Sequence, residues 1–165
     1  MDEPQDKETL LSRALMVGIN DNLLCGEGWH DRTMDGRSGL LYRPTQRHAG
    51  FDLILPGGNV EIIALISAAA SLCGGTLHGE LLCGERLLGD FTLETENWTL
   101  RRFLFPDAPV GRCRFVWRTL NPFIPNDVLK NGDFREMGVY VASVRCEGKE
   151  LSIKTTGNTG EMGKI

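Results

Sequence analysis

The sequence predicts an all-β fold of sandwich or barrel type, and three observations carry that expectation. Short apolar runs recur from Ser38 onward, each cut off by turn signals, which is how strands are spaced in such folds. Inside the runs, apolar and polar residues alternate with period two, so that one set of side chains shares a face. Twenty glycines and seven prolines are scattered along the chain without a repeat, as many turns between short elements require. The 165 residues, 41% hydrophobic and 24% charged, have the composition of one globular domain. A chain of this length buries roughly two-thirds of its unfolded surface on folding, so neither a metal nor a disulfide is needed for stability.

Taken in order, residues 1–9 read as a flexible lead-in, residues 10–154 as the single domain, and residues 155–165 as a flexible tail without periodicity. Leu10, Leu11, Ala14, Leu15 and Ile19 are spaced for a short N-terminal amphipathic helix or an irregular first strand. Residues 20–37 form a polar, glycine-punctuated loop. Strands are then expected at GLLYR, AGFDLILP, VEIIALISAAASL, TLHGELLC, ERLLGDFTLE, WTLRRFLF, VGRCRFVWRTL and GVYVASVRC. Residues 60–72 include several alanines, which favour helix. Val60, Ile62, Ile63 and Ile66 are β-branched, however, and Pro56-Gly57-Gly58 and Gly74-Gly75 read as bounding turns, so a strand is expected there too. Cys83-Gly84-Glu85 fits a tight hairpin turn, with glycine free to take a positive φ. In 110–119 the alternation sets Cys113, Phe115 and Trp117 on the core face against Arg112, Arg114 and Arg118. In 139–146 it groups Tyr140, Ala142, Val144 and Cys146 against Val139, Val141, Ser143 and Arg145.

Charge and motifs exclude several functions. Lys plus Arg number 18 and Asp plus Glu 22, a formal charge of −4, so there is no strong drive toward nucleic acid or anionic lipid. No stretch reaches the roughly 18 to 20 apolar residues of a membrane span. Cys25, Cys73, Cys83, Cys113 and Cys146 match neither a zinc pattern nor a CxxC pair and read as free thiols. Their odd number, with an opening MDEPQDKETL that lacks the features of a secretory signal, points to the reducing cytoplasm. The dinucleotide, P-loop, zinc-protease, serine-hydrolase and EF-hand motifs are all missing, so no cofactor, no metal and no catalytic set is expected. His30, His48 and His78 stand in separate contexts and read as surface or loop histidines.

The acidic residues Glu27, Asp31, Asp35, Asp127, Asp133 and Glu136 fall in the two loops that bracket the domain, which converge if the first and last strands are neighbours. Paired carboxylates there would suit acid and base work on a glycosidic bond, or a grip on Ca²⁺. Pairing with Arg32, Arg37 and Arg135 to pin the loops is favoured over both, because Asp-x-Arg segments at turns serve geometry first. Arg135 is expected to bridge Glu27 or Asp133 and tie the first loop to the last. Trp29, between glycine and charged residues, is the best sugar-stacking aromatic, although plugging the mouth of the fold is the stronger expectation. Trp117 reads as core, and Trp98, at a strand start, as partly buried. Arg101, Arg102, Arg112, Arg114 and Arg118 form a basic stripe, best read as a solvated outer face. The ligand-binding candidates are therefore Glu27, Trp29, Asp31, Asp127, Asp133 and Arg135.

Gly26-Glu27-Gly28-Trp29 with Asp35-Gly36-Arg37, then Asn97-Trp98-Thr99 leading to Phe105-Pro106, then Asn121-Pro122-Phe123-Ile124-Pro125 with the 131–139 segment NGDFREMGV, make a familiar order. It resembles small jelly-roll-like β-sandwich domains that accompany bacterial glycosyltransferases and surface-polysaccharide proteins. The resemblance covers about residues 25–147. It implies a two-sheet antiparallel β-sandwich and a non-catalytic module that binds a glycan or positions a partner enzyme such as a glycosyltransferase. The alternatives are a structural protein-interaction domain and, with less support, a small carbohydrate-active enzyme using loop carboxylates.

Overall fold

The computed structural model describes residues 13–149; the expected lead-in 1–9 and tail 155–165 lie outside them. The strands are β1 (Ala14–Met16), β2 (Thr33–Met34), β3 (Leu41–Pro44), β4 (His48–Ser67), β5 (Leu77–Cys83), β6 (Arg86–Leu93), β7 (Thr99–Thr119) and β8 (Tyr140–Gly148). Among the described residues, helix is confined to two short pieces, α1 (Asp21–Leu24) and α2 (Pro125–Leu129), and a 3₁₀ turn at Ala70–Cys73.

All eight strands belong to one antiparallel sheet, in the order β2-β3-β8-β4-β7-β5-β6, with β1 also on β8. The expected two-sheet sandwich is therefore wrong: the fold is a single sheet curled into a half-barrel. The error has a definite origin. AGFDLILP and VEIIALIS are two halves of one 20-residue strand, and WTLRRFLF and VGRCRFVWRT are two halves of one 21-residue strand. Pro56-Gly57-Gly58 is not a bounding turn but the bend in the middle of β4. There Gly57 and Gly58 take φ of +86° and +74°, the register shifts between Gly58 and Val60, and Asp107 on β7 sits at φ +52°. A proline and an extra residue are tolerated at such a bulge, where ladder bonds are already interrupted.

Length forces the curl. Twenty extended residues span about 66 Å at ~3.3 Å each, while a compact chain of this size has a radius of gyration near ~15 Å. The β4–β7 ribbon accordingly doubles back. Thr45, just before β4, donates its N–H to the Val139 carbonyl at 2.9 Å, and Ser67 at the other end of β4 pairs with the adjacent Tyr140. Across the interior, Phe103 lies 6.0 Å from Trp117 and Phe105 lies 6.2 Å from Phe115, so opposite ends of one strand meet in the core. Phe51 stacks on Phe115 at 5.2 Å, and Phe51, Phe115 and Trp117 are fully buried.

Elsewhere the pattern holds with local exceptions. Of the two alternatives for the N-terminal segment, its described part from Ala14 to Met16 takes the strand, β1; Leu15 opposes Val144 and is buried, while Met16 is exposed, and Leu10 and Leu11 lie outside the described residues. Strand β4 runs to Ser67, and the alanines beyond it enter the 3₁₀ turn. The β5–β6 hairpin closes at Cys83–Arg86, with Gly84 at φ +61°. In β8 the expected grouping fails before Ala142: Val139 and Val141 are buried together with Ala142, Val144 and Cys146, while Tyr140 is only partly covered. Leu65 opposes Ser143 and Ile66 opposes Val141, so Ala142 is an extra residue that reverses the alternation.

Candidate functional site

Because the long ribbon doubles back, both ends of β4, the start of β7 and the start of β8 gather at one end of the fold. The loops there are pinned by polar contacts. Asp21, fully buried at the start of α1, accepts from Arg32 Nε at 2.9 Å, from Arg43 Nε at 2.6 Å and from the Gly18 N–H at 2.9 Å. Burial alone would raise its carboxyl, but the two guanidiniums and the backbone donor outweigh that and hold it at about 2. The ring Nε2 of His30 hydrogen-bonds the Glu136 carbonyl at 2.7 Å, joining the first loop to the last.

The most chemically suggestive surface at this end is a groove of about 400 Å³ lined by Asp35, Arg37, Tyr42, Ser67, Ala68, Ala69, Glu96, Trp98 and Tyr140. Its aromatic wall contains both tyrosines of the sequence. Tyr42, on β3, lies 4.9 Å from Tyr140 with the rings tilted by 31°, and 5.3 Å from Trp98 at 62°. The rings therefore form a corner with open edges, in place of a flat platform. Trp98 is held by its indole N–H, which donates to Asp35 Oδ2 at 3.1 Å. Asp35 caps its own turn, accepting from Ser38 Oγ at 2.6 Å and the Ser38 N–H at 3.2 Å, and Gly39 at φ +78° completes the reversal into β3. Glu96 anchors the opposite lip: its carbonyl accepts from Ser67 Oγ at 3.0 Å and its carboxylate from Ser71 Oγ at 2.7 Å.

Protonation suits hydroxyl recognition. The hydrogen bonds from Ser38 and then Trp98 hold the Asp35 carboxyl below its usual range, so it is an acceptor at neutral pH. Burial, and then the Asp35 charge, pushes the Tyr42 phenol up; burial, and then Tyr42, does the same to Tyr140. Both phenols stay protonated as donors. Among the described residues the Arg37 guanidinium makes no hydrogen bond or ion pair, leaving a planar donor at the rim.

The six sequence-derived candidates are distributed differently. Trp29 is half-buried, donates its indole N–H to the Gly50 carbonyl at 2.7 Å and meets Phe51 edge-on at 6.4 Å, the position of a plug. Glu27 lies beside Gly26, His48, Gly50 and Arg114 in a separate groove. Asp127 lines another, with Arg47, Cys73, Phe123 and Glu136. Asp133 and Arg135 form a two-bonded pair at 2.9 and 2.7 Å inside one exposed loop, so Arg135 clamps its own loop and is not the tie to the first loop. Asp31 is exposed, and its charge reaches Arg135. The loops converge, but the candidates do not share a pocket. Four of the five arginines of the stripe are on an outer face with partners: Arg112 and Arg114 pair with Asp52, Arg118 with Glu80 and Arg102 with Glu61, whereas Arg101 shares the face of the buried Phe103 and Phe105 and donates to the Thr92 carbonyl. Sequence reasoning passed over Tyr42 and Tyr140, whose signal was a phenol in place of phenylalanine at a strand end.

Among the described residues, no group of three or more His, Cys, Asp and Glu is arranged to hold a metal ion, and no helix is long and apolar enough to cross a membrane. No protein-family model and no curated protein matches this sequence. Solved structures do. A family 35 carbohydrate-binding module from an environmental isolate aligns with a TM-score of 0.50 at 10% identity, covering 76% of this chain and 92% of its own. The C-terminal family 6 module of a laminarinase from Zobellia galactanivorans aligns at 0.47 and 15% identity, covering 81% and 98%. A family 36 module in complex with calcium and xylotriose aligns at 0.48 and 11%, covering 81% and 98%. The chain thus has a small all-β fold like that of carbohydrate-binding modules.

Proposed function

We propose that this protein is a non-catalytic glycan-binding module whose ligand sits in the Tyr42–Trp98–Tyr140 groove. The observation that carries the reading is the convergence, in one groove, of three aromatic rings with two carboxylates and an uncommitted guanidinium. Pyranose rings present apolar C–H faces that stack on aromatic side chains, and hydroxyls that need both donors and acceptors. Asp35 and Glu96 supply acceptors, and Arg37 and the phenols supply donors. In this reading the module serves bacterial polysaccharide or glycoconjugate assembly, binding a glycan or holding a glycosyltransferase partner on it. Five free cysteines fit a reducing cytoplasmic setting.

A glycan array followed by calorimetric titration of the strongest hit tests the proposal. Trp98→Ala should weaken the binding by roughly tenfold or more while Trp29→Ala leaves it nearly intact. Binding unchanged by Trp98→Ala and by Tyr42→Ala, or an array without hits, would sink it.

A further inference from the structure

We infer that the glycan held in the Tyr42–Trp98–Tyr140 groove carries a free, protonated amine, seated against the rings between the carboxylates of Asp35 and Glu96. The inference rests on the groove reading above and names the chemical class of its ligand. Three aromatic rings stand side by side in the wall, with Tyr42 4.9 Å from Tyr140 and 5.3 Å from Trp98. The faces of such rings are negative, so they attract an ammonium and offer nothing to an anion. An acid stands at each lip. Asp35 accepts the Trp98 indole N–H at 3.1 Å; one carboxylate oxygen of Glu96 takes the Ser71 hydroxyl at 2.7 Å, and the other has no partner among the described residues. Neither phenol hydroxyl has a hydrogen-bond partner among the described residues, so each oxygen is free to accept an N–H.

The charges around the rings act in the same direction. Burial comes first in holding the proton on both phenols; the Asp35 charge adds to it at Tyr42, as Tyr42, Cys73 and Glu96 do at Tyr140. The cation that reaches both phenols is Arg135, and its guanidinium is committed to Asp133 through bonds of 2.9 and 2.7 Å. Arg37 is exposed at the rim, and its charge is not among those acting on Tyr42. An ammonium over the rings would therefore meet two carboxylates and the π faces together, in a chain whose net charge is −4. An N-acetylated amine is neutral and loses both attractions, and a uronate carboxylate is repelled by the same two acids. Because the groove is half-buried, salt should narrow the preference without removing it.

The test probes, with the full chain, an array that carries the same sugar rings as free amines, N-acetylated amines, neutral hydroxyl forms and uronates, at a pH where the amines are protonated. Calorimetric titration then compares the strongest free amine with its N-acetylated and neutral counterparts. The free amine should bind tighter than either by roughly tenfold or more. Glu96→Gln keeps the shape and can still accept from Ser71, so its melting temperature should hold while the preference falls to roughly threefold or less. Glu27→Gln removes the same charge from a separate groove and should keep the preference. Equal binding of the free and N-acetylated forms, tighter binding of uronates, or a preference unchanged in Glu96→Gln would each overturn the inference and leave the groove reading standing. An array without hits would overturn both.

Discussion

At the residue scale, two tryptophans with similar local sequence surroundings take opposite roles. Trp117 is fully buried, with Phe51, Phe91 and Phe103 within 6.0 Å of its ring. Trp117→Ala should cost ~3–5 kcal/mol, as deletion of a buried aromatic does, and denaturant titration should show it. Trp98 instead lines the groove and is fixed by one hydrogen bond to Asp35. Its replacement by alanine should weaken glycan binding by roughly tenfold or more, since lost stacking is worth about a kcal/mol or more, with a smaller change in unfolding. Alternation showed that Trp117 points inward. It was silent on Trp98, because a loop residue's neighbours depend on which distant turn folds beside it.

At the scale of elements, the loops hold their places by close backbone approach as much as by charge. Gly28 has φ +93°, and a Cβ there would overlap the His48 carbonyl. Gly138 has Thr119 Oγ1 against it and the Gln46 carbonyl 2.8 Å from where a Cβ would sit. Gly138→Ala should therefore destabilise by ~1–3 kcal/mol, the usual range for overpacking a filled site. A melting temperature equal to that of the unmodified protein would refute the packing argument. The exposed Asp133–Arg135 clamp is the opposite case. Arg135→Lys loses the fork but disturbs only its own loop, so thermal melts should barely move. Strand β8 shows why alternation read from sequence can invert: a one-residue bulge at Ala142 leaves composition unchanged and turns every earlier side chain over.

At the scale of the molecule, pH reports on the contacts that gather the loops. The Asp21 carboxyl is held at about 2 in the folded chain against a model-peptide value of 3.8. Its folded value is depressed, so its stabilising contribution is complete above about pH 4 and is lost as pH falls toward 2. The shift corresponds to about 2 kcal/mol. Acid titration of stability should show this loss, and Asp21→Asn should remove it from the profile while lowering stability at neutral pH. Chelator should leave the melting temperature unchanged; a marked drop would reveal a bound cation that the side-chain arrangement gives no reason to expect.

The all-β class, the inward faces of 110–119 and of the end of β8, the Gly84 hairpin and the burial of Trp117 are legible in the residues alone. These follow from local periodicity and from residues with restricted φ. That two pairs of apolar runs are two bent strands, that the sheet is single, and that Tyr42, Trp98, Tyr140 and Asp35 share a groove follow from long-range packing. A proline-glycine segment reads the same whether the chain turns there or bends and continues. What separates the two outcomes is pairing with a partner strand some 50 residues away, such as Gly58 with Ala108, and that information is held in the packed core, not in any local stretch of residues.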